Sequence, residues 1–133
     1  MILSCNRRPR FSPRPLRRAA DLSGTKLSGK KHTVFTAVSI TRVHLDAKKD
    51  LVQQFVASTD VFIKVLSGAE MDGYIATGEP FDKAGGYAAQ GLGSFMVERI
   101  EGSFSNVVGL PLAEVSTVLT RDFGIPLWRD LDL

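Results

Sequence analysis

Residues 51–66 read LVQQFVASTDVFIKVL, and this stretch decides the fold class. Phe55, Ala57, Thr59, Val61, Ile63 and Val65 fall on one side at period two, with Gln54, Ser58, Asp60 and Lys64 opposite. That alternation predicts a long strand with one buried face. Upstream, residues 32–43, HTVFTAVSITRV, are rich in β-branched and aromatic side chains and follow Ser28-Gly29, which predicts a strand there too. The polar stretch 44–50 between them predicts antiparallel pairing through a loop.

Downstream the period changes. Ser67-Gly68-Ala69-Glu70 has the S-x-x-E spacing of a capping box and predicts a short helix running to about Thr77, where Gly78 offers a left-handed stop and Pro80 prevents continuation. Residues 82–94, DKAGGYAAQGLGS, read as a glycine-rich turn segment, and 95–101 as a further strand closed by Gly102. Leu112, Val115, Val118 and Leu119 recur at helical spacing after Pro111, and Gly124 ends that pattern. Strands and helices in this order predict a mixed α/β domain, with a long antiparallel strand pair and packing helices.

The chain has 133 residues, 44% hydrophobic and 23% charged, which suits one domain with a packed core. Its net charge of +3 hides an asymmetry. Residues 1–31 hold nine Lys or Arg (Arg7, Arg8, Arg10, Arg14, Arg17, Arg18, Lys26, Lys30 and Lys31) against Asp21, a net +8. Removing those from the totals of 17 and 14 leaves eight bases and 13 acids in 32–133, a net −5. The body is therefore no basic nucleic-acid platform. Pro9, Pro13 and Pro15 interrupt the arginine-rich start, so residues 1–26 are expected to form a disordered arm and 27–133 the domain. Cys5 is the only cysteine, which excludes an internal disulfide and a cysteine-clustered metal site. No apolar run reaches the roughly 20 residues of a membrane span, and Met1-Ile2-Leu3 is too short for a secretory signal, so a cytoplasmic location is expected. The Arg-rich, acid-free residues 1–20 suit an organellar transit peptide by composition only.

Two nucleotide motifs fail. Residues 24–31, GTKLSGKK, nearly spell a phosphate loop, but Lys31 lacks the hydroxyl and the flanking pattern is not strand then helix. Gly91-Leu92-Gly93 has Met96 where a dinucleotide fingerprint needs its third glycine. His32 and His44 lie at the two ends of a predicted strand and read as surface residues rather than a metal pair. The segment 78–95 differs, because Glu79, Asp82, Lys83, Tyr87 and Gln90 gather on a glycine-rich loop between regular elements. Carboxylates can hold a hard cation, a lysine can neutralise phosphate oxygens, and a glutamine amide can both donate to and accept from a base edge. The same residues also suit a solvated turn with an Asp–Lys ion pair, and chemistry alone leaves the two readings level.

Residues 27–40 (LSGKKHTVFTAVSI), 74–102 (YIATGEPFDKAGGYAAQGLGSFMVERIEG) and 106–112 (NVVGLPL) resemble the carboxy-terminal half of the Maf family of nucleotide pyrophosphatases, known as septum-formation inhibitors. The resemblance runs from about Leu27 to Gly124. It implies a truncated Maf/ITPase-like lobe. It also implies hydrolysis of a nucleoside triphosphate between the α and β phosphates with Mg2+ or Mn2+ as cofactor. Gln90 occupies the family's Q-G place and would select the base, as in the branch acting on dTTP and UTP. Glu79, Asp82 and Lys83 match the E-P-x-D-K block and would line the nucleotide cleft.

The family's S-x-S-P-R-R start, A-D-T block and G-K-P lysine have no proper counterpart here. Ser12-Pro13-Arg14 echoes the first, with Pro15 where the second arginine belongs. No catalytic residue or metal ligand is therefore assigned, and this chain alone is expected to lack turnover. A truncated lobe would leave strand edges and apolar faces uncovered, so homodimer formation is expected. Other classes remain open: a non-catalytic binding or dimerisation module, and a nucleic-acid binder using the basic arm. Nucleic acid and membrane are not the expected partners of the body.

Overall fold

β-Branched residues on two long runs build the centre of the protein. In this computed structural model, which describes residues 2–6, 26–43, 50–83 and 86–128, β2 (Lys31–Arg42) and β3 (Leu51–Ile63) pair antiparallel along their whole length. Lys31 stands opposite Phe62 at one end and Arg42 opposite Leu51 at the other. Val34, Thr36, Val38 and Ile40 share the inward face of β2 with Ala57, Thr59, Val61 and Ile63 of β3. Ile40 and Val61 are 0% exposed, and burying such a side chain fully contributes about 1.5–3 kcal/mol. The opposite face carries Phe35 and Val56 into solvent.

The alternation stops earlier than the sequence suggests. β3 ends at Ile63, and Val65, expected on the apolar face, is 80% exposed. The cause is tertiary: Lys64 accepts the Gly29 amide at its carbonyl and donates its own N–H to Met96 O at 3.0 Å, so the chain leaves the pleat there.

Two short strands flank the pair, giving the order β1-β2-β3-β4. β4 (Val97–Glu101) runs antiparallel to β3, with a register shift at Phe62/Ile63. It begins later than expected because Leu92–Met96, Phe95 included, form a 3-10 turn. β1 (Ile2–Asn6) runs antiparallel to β2, so these residues of the expected arm are paired with the sheet, while residue 1 and residues 7–25 lie outside the described residues.

Among the described residues, three helices pack on or beside the inner face. α1 (Gly68–Ala76) starts at the predicted capping box: Ser67 Oγ accepts the Glu70 N–H, and Glu70 Oε2 accepts the Ser67 N–H at 2.8 Å. Gly78 follows at φ 78°, the left-handed turn expected there. α2 (Phe104–Val108) is a single turn capped by Ser103, not foreseen from periodicity. α3 (Leu112–Arg121) follows Pro111, and Val115 and Phe123 pack with Val38 and Ile40. A separate apolar cluster joins Val61, Ile63, Leu66, Tyr74 and Met96 at the other end of the sheet. Among the described residues no helix is long and apolar enough to cross a membrane. The class is mixed α/β, as the sequence predicts, with an antiparallel sheet at its centre.

Candidate functional site

The glycine-rich loop sits over the cluster around Tyr74 and Met96 and is fastened twice. The first fastening is Glu79, which opens a 3-10 turn (Glu79–Asp82) just after Gly78. Its backbone N–H donates to Thr77 Oγ1 at 3.2 Å, and the Thr77 hydroxyl donates to Tyr74 O at 2.6 Å. Its carboxylate then accepts two backbone amides across the loop, Leu92 N–H at Oε2 (2.9 Å) and Gly93 N–H at Oε1 (3.3 Å). This is the side-chain cap of a helical turn, made by a residue far away in sequence.

That grip explains two glycines. Gly91 has φ 80°, and a Cβ there would lie 2.8 Å from Glu79 Oε1. At Gly93 a Cβ would meet Tyr74 Oη at 2.6 Å and Ala88 O at 2.9 Å, so only a hydrogen fits.

The second fastening is Tyr87. Its hydroxyl lies 2.9 Å from His32 Nε2, and the two rings meet edge to face at 88° with centroids 5.6 Å apart. Burial pushes the Tyr87 hydroxyl up to about 12, so it stays protonated across the neutral range. Burial also lowers the His32 pKa, against the opposing pull of the Asp60 charge. His32 Nδ1 is buried with no hydrogen-bond partner among the described residues. The reading of His32 as a surface residue is thus corrected: it is half-buried, because it shares the parity of Val34, Thr36 and Val38 on β2. His44 lies outside the described residues.

Of the residues singled out in the loop, Glu79 is turned inward onto amides instead of lining an open cleft. Lys83 and Gln90 are exposed. Asp82 lies on the 3-10 turn with Glu79, and its side chain lies outside the described residues. Beneath the loop, Leu27, Ile63, Leu66, Tyr74, Tyr87 and Met96 border a cavity of about 20 Å3, room for about one water and far too small for a nucleotide. His32 and Tyr74 were not marked as site residues; strand parity carried the signal for His32.

Among the described residues no three His, Cys, Asp or Glu side chains gather as metal ligands, and both Glu79 oxygens already accept amides. One nearby cation is committed as well: Lys64 Nζ lies 2.7 Å from Glu70 Oε1 and 5.1 Å from the Phe95 ring centroid.

Comparison with known proteins adds a family match. The model of the family described as Maf-like protein matches residues 18–122. The dTTP/UTP pyrophosphatase of Caldicellulosiruptor saccharolyticus is 51% identical over 96 residues, covering 72% of this chain and 46% of that protein. That of Anaeromyxobacter dehalogenans strain 2CP-1 is 50% identical over 107 residues, covering 76% and 50%. That of Myxococcus xanthus is 47% identical over 106 residues, covering 79% and 50%. The chain spans about half the length of the curated relatives it matches.

Proposed function

Because this chain belongs to the Maf-like family, we propose that it serves the hydrolysis of dTTP or UTP to the monophosphate and pyrophosphate, as the recognition half of that reaction. The observation that supports this most is the double fastening of the 79–93 loop, which lies wholly within the family match and holds an exposed glutamine on a stiff turn. Site residues held by packing and by a further layer of hydrogen bonds are what ligand recognition requires.

The roles follow from side-chain chemistry. Gln90 would face the base, its amide donating to one edge atom and accepting from the neighbouring one. Lys83 would meet the phosphates, since an acidic body attracts a polyanion only through local cations. Glu79 acts as a positioning residue, and Asp82 is proposed alongside Lys83 at the phosphate side. A need for Mg2+ or Mn2+ belongs to the proposal too; none of these roles passes through a metal held by a described residue.

Titrating the purified chain with UTP, dTTP and purine triphosphates in the presence of Mg2+, with pyrophosphate release followed in parallel, tests the reading. Saturable binding that favours the pyrimidines is expected. Lys83→Ala should weaken UTP binding by about tenfold or more, the worth of a charge-assisted contact to phosphate. No binding of any triphosphate, or the same affinity in the lysine variant, would remove the assignment. Turnover of UTP by this chain would extend the proposal from recognition to catalysis.

A further inference from the structure

Tyr87 carries the loop onto the long hairpin. Its partner His32 is the second residue of β2, directly opposite Val61, which is 0% exposed, so this anchor stands beside the buried core of the hairpin. Glu79 fixes the other end through Leu92 and Gly93. Between the two, Gly93 closes so tightly on Ala88 and the Tyr74 hydroxyl that no Cβ fits. Residues 87–93 thus form a closed turn with anchors at both ends and the exposed Gln90 within it. Losing the Tyr87 anchor would leave the turn to Glu79 alone, so the bonds at the Leu92 and Gly93 amides would open more often and Gln90 would lose its fixed angle.

We propose that the His32–Tyr87 pair is the positioning device that sets the angle of Gln90 for base recognition, and so governs selectivity among nucleotides instead of overall affinity. This rests on the nucleotide reading of the loop. The pair touches neither base nor phosphate; it acts through Gln90. A displacement of about 1 Å in a recognising amide is enough to misalign a paired donor and acceptor, whereas a lysine contact to phosphate tolerates such a shift because the ammonium is a flexible point charge. The expected signature is therefore a change in discrimination at nearly constant phosphate binding.

Tyr87→Phe removes only the hydroxyl, and the ring still covers the apolar cluster. Two measurements on this variant and the unaltered chain decide the matter: hydrogen exchange of the Leu92 and Gly93 amides, and the ratio of UTP to CTP affinity with Mg2+ present. Faster exchange at those amides, unchanged exchange along β2 and β3, and a roughly tenfold loss of the UTP/CTP ratio, the worth of about one hydrogen bond, are expected. His32→Leu should reproduce the exchange result from the sheet side. Unchanged loop exchange in both variants would overturn the anchoring, and a preserved ratio with a loosened loop would overturn the selectivity role. If the unaltered chain binds no nucleotide, the pyrophosphatase reading and the selectivity role fall together, and faster loop exchange would still establish the anchor.

Discussion

At the residue scale, His32 couples the loop to acidity. Its folded pKa lies below the ordinary 6.5 because burial disfavours the imidazolium. Between the two values the unfolded chain binds more protons, so stability rises with pH through that window. The contribution is complete above 6.5 and is lost as pH falls through the lowered folded value. The charge of Asp60 on β3 favours protonation, but it is bound by Lys31 at 2.7 Å and by the Thr33 hydroxyl at 2.6 Å. Thermal melts at pH 7.5 and 5.5 should show a drop for the unaltered chain that His32→Leu does not share, and equal drops would remove this account. Gly93→Ala tests the tightness of the turn directly. With backbone oxygen 2.9 Å from the new methyl, the loop must shift, and a cost of about 1–3 kcal/mol in a urea titration is expected, as for other overpacked sites.

At the scale of elements, α1 depends on its cap. Ser67→Ala deletes the oxygen that meets the Glu70 amide and should cost about 1 kcal/mol of helix stability, read from urea denaturation. Glu70 itself is held at about 2 by Lys64 and by the Ser67 amide and hydroxyl, so its contribution is present above 4.5 and disappears as the pH falls towards 2. This cap was legible in the sequence because all its partners lie within four residues. The parity of β3 was legible for the same reason as far as Ile63. It failed at Val65, where contacts with Gly29 and Met96, distant in sequence, end the strand. The single turn α2 is too short to show a period, though Ser103 three residues before Asn106 was a local hint. Glu79 shows the limit most sharply: an acidic residue on a polar loop reads as a ligand, and only the folded chain reveals amides 13 and 14 residues onward as its partners.

At the scale of the whole molecule, one sheet supports two apolar clusters with no buried residue in common, one below the loop and one below α3. Asn106, 0% exposed, stitches α2 to both long strands by donating to Thr59 Oγ1 at 3.0 Å and Val34 O at 3.3 Å. Phe123→Ala should therefore cost about 3–5 kcal/mol in denaturant, a large part of a domain's usual stability. Loop amides at 92 and 93 should keep their exchange rates until global unfolding, and early loosening there would show that the clusters are not independent. The strand order β1-β2-β3-β4 carries a kinetic meaning as well. Everything from Lys64 to Met96 hangs as an excursion between β3 and β4, so the β2–β3 hairpin can zip up before that excursion is organised. The glycine-rich turn is then expected to condense after the rate-limiting nucleus has formed, so lesions within it should hasten escape from the native state while scarcely slowing the return to it.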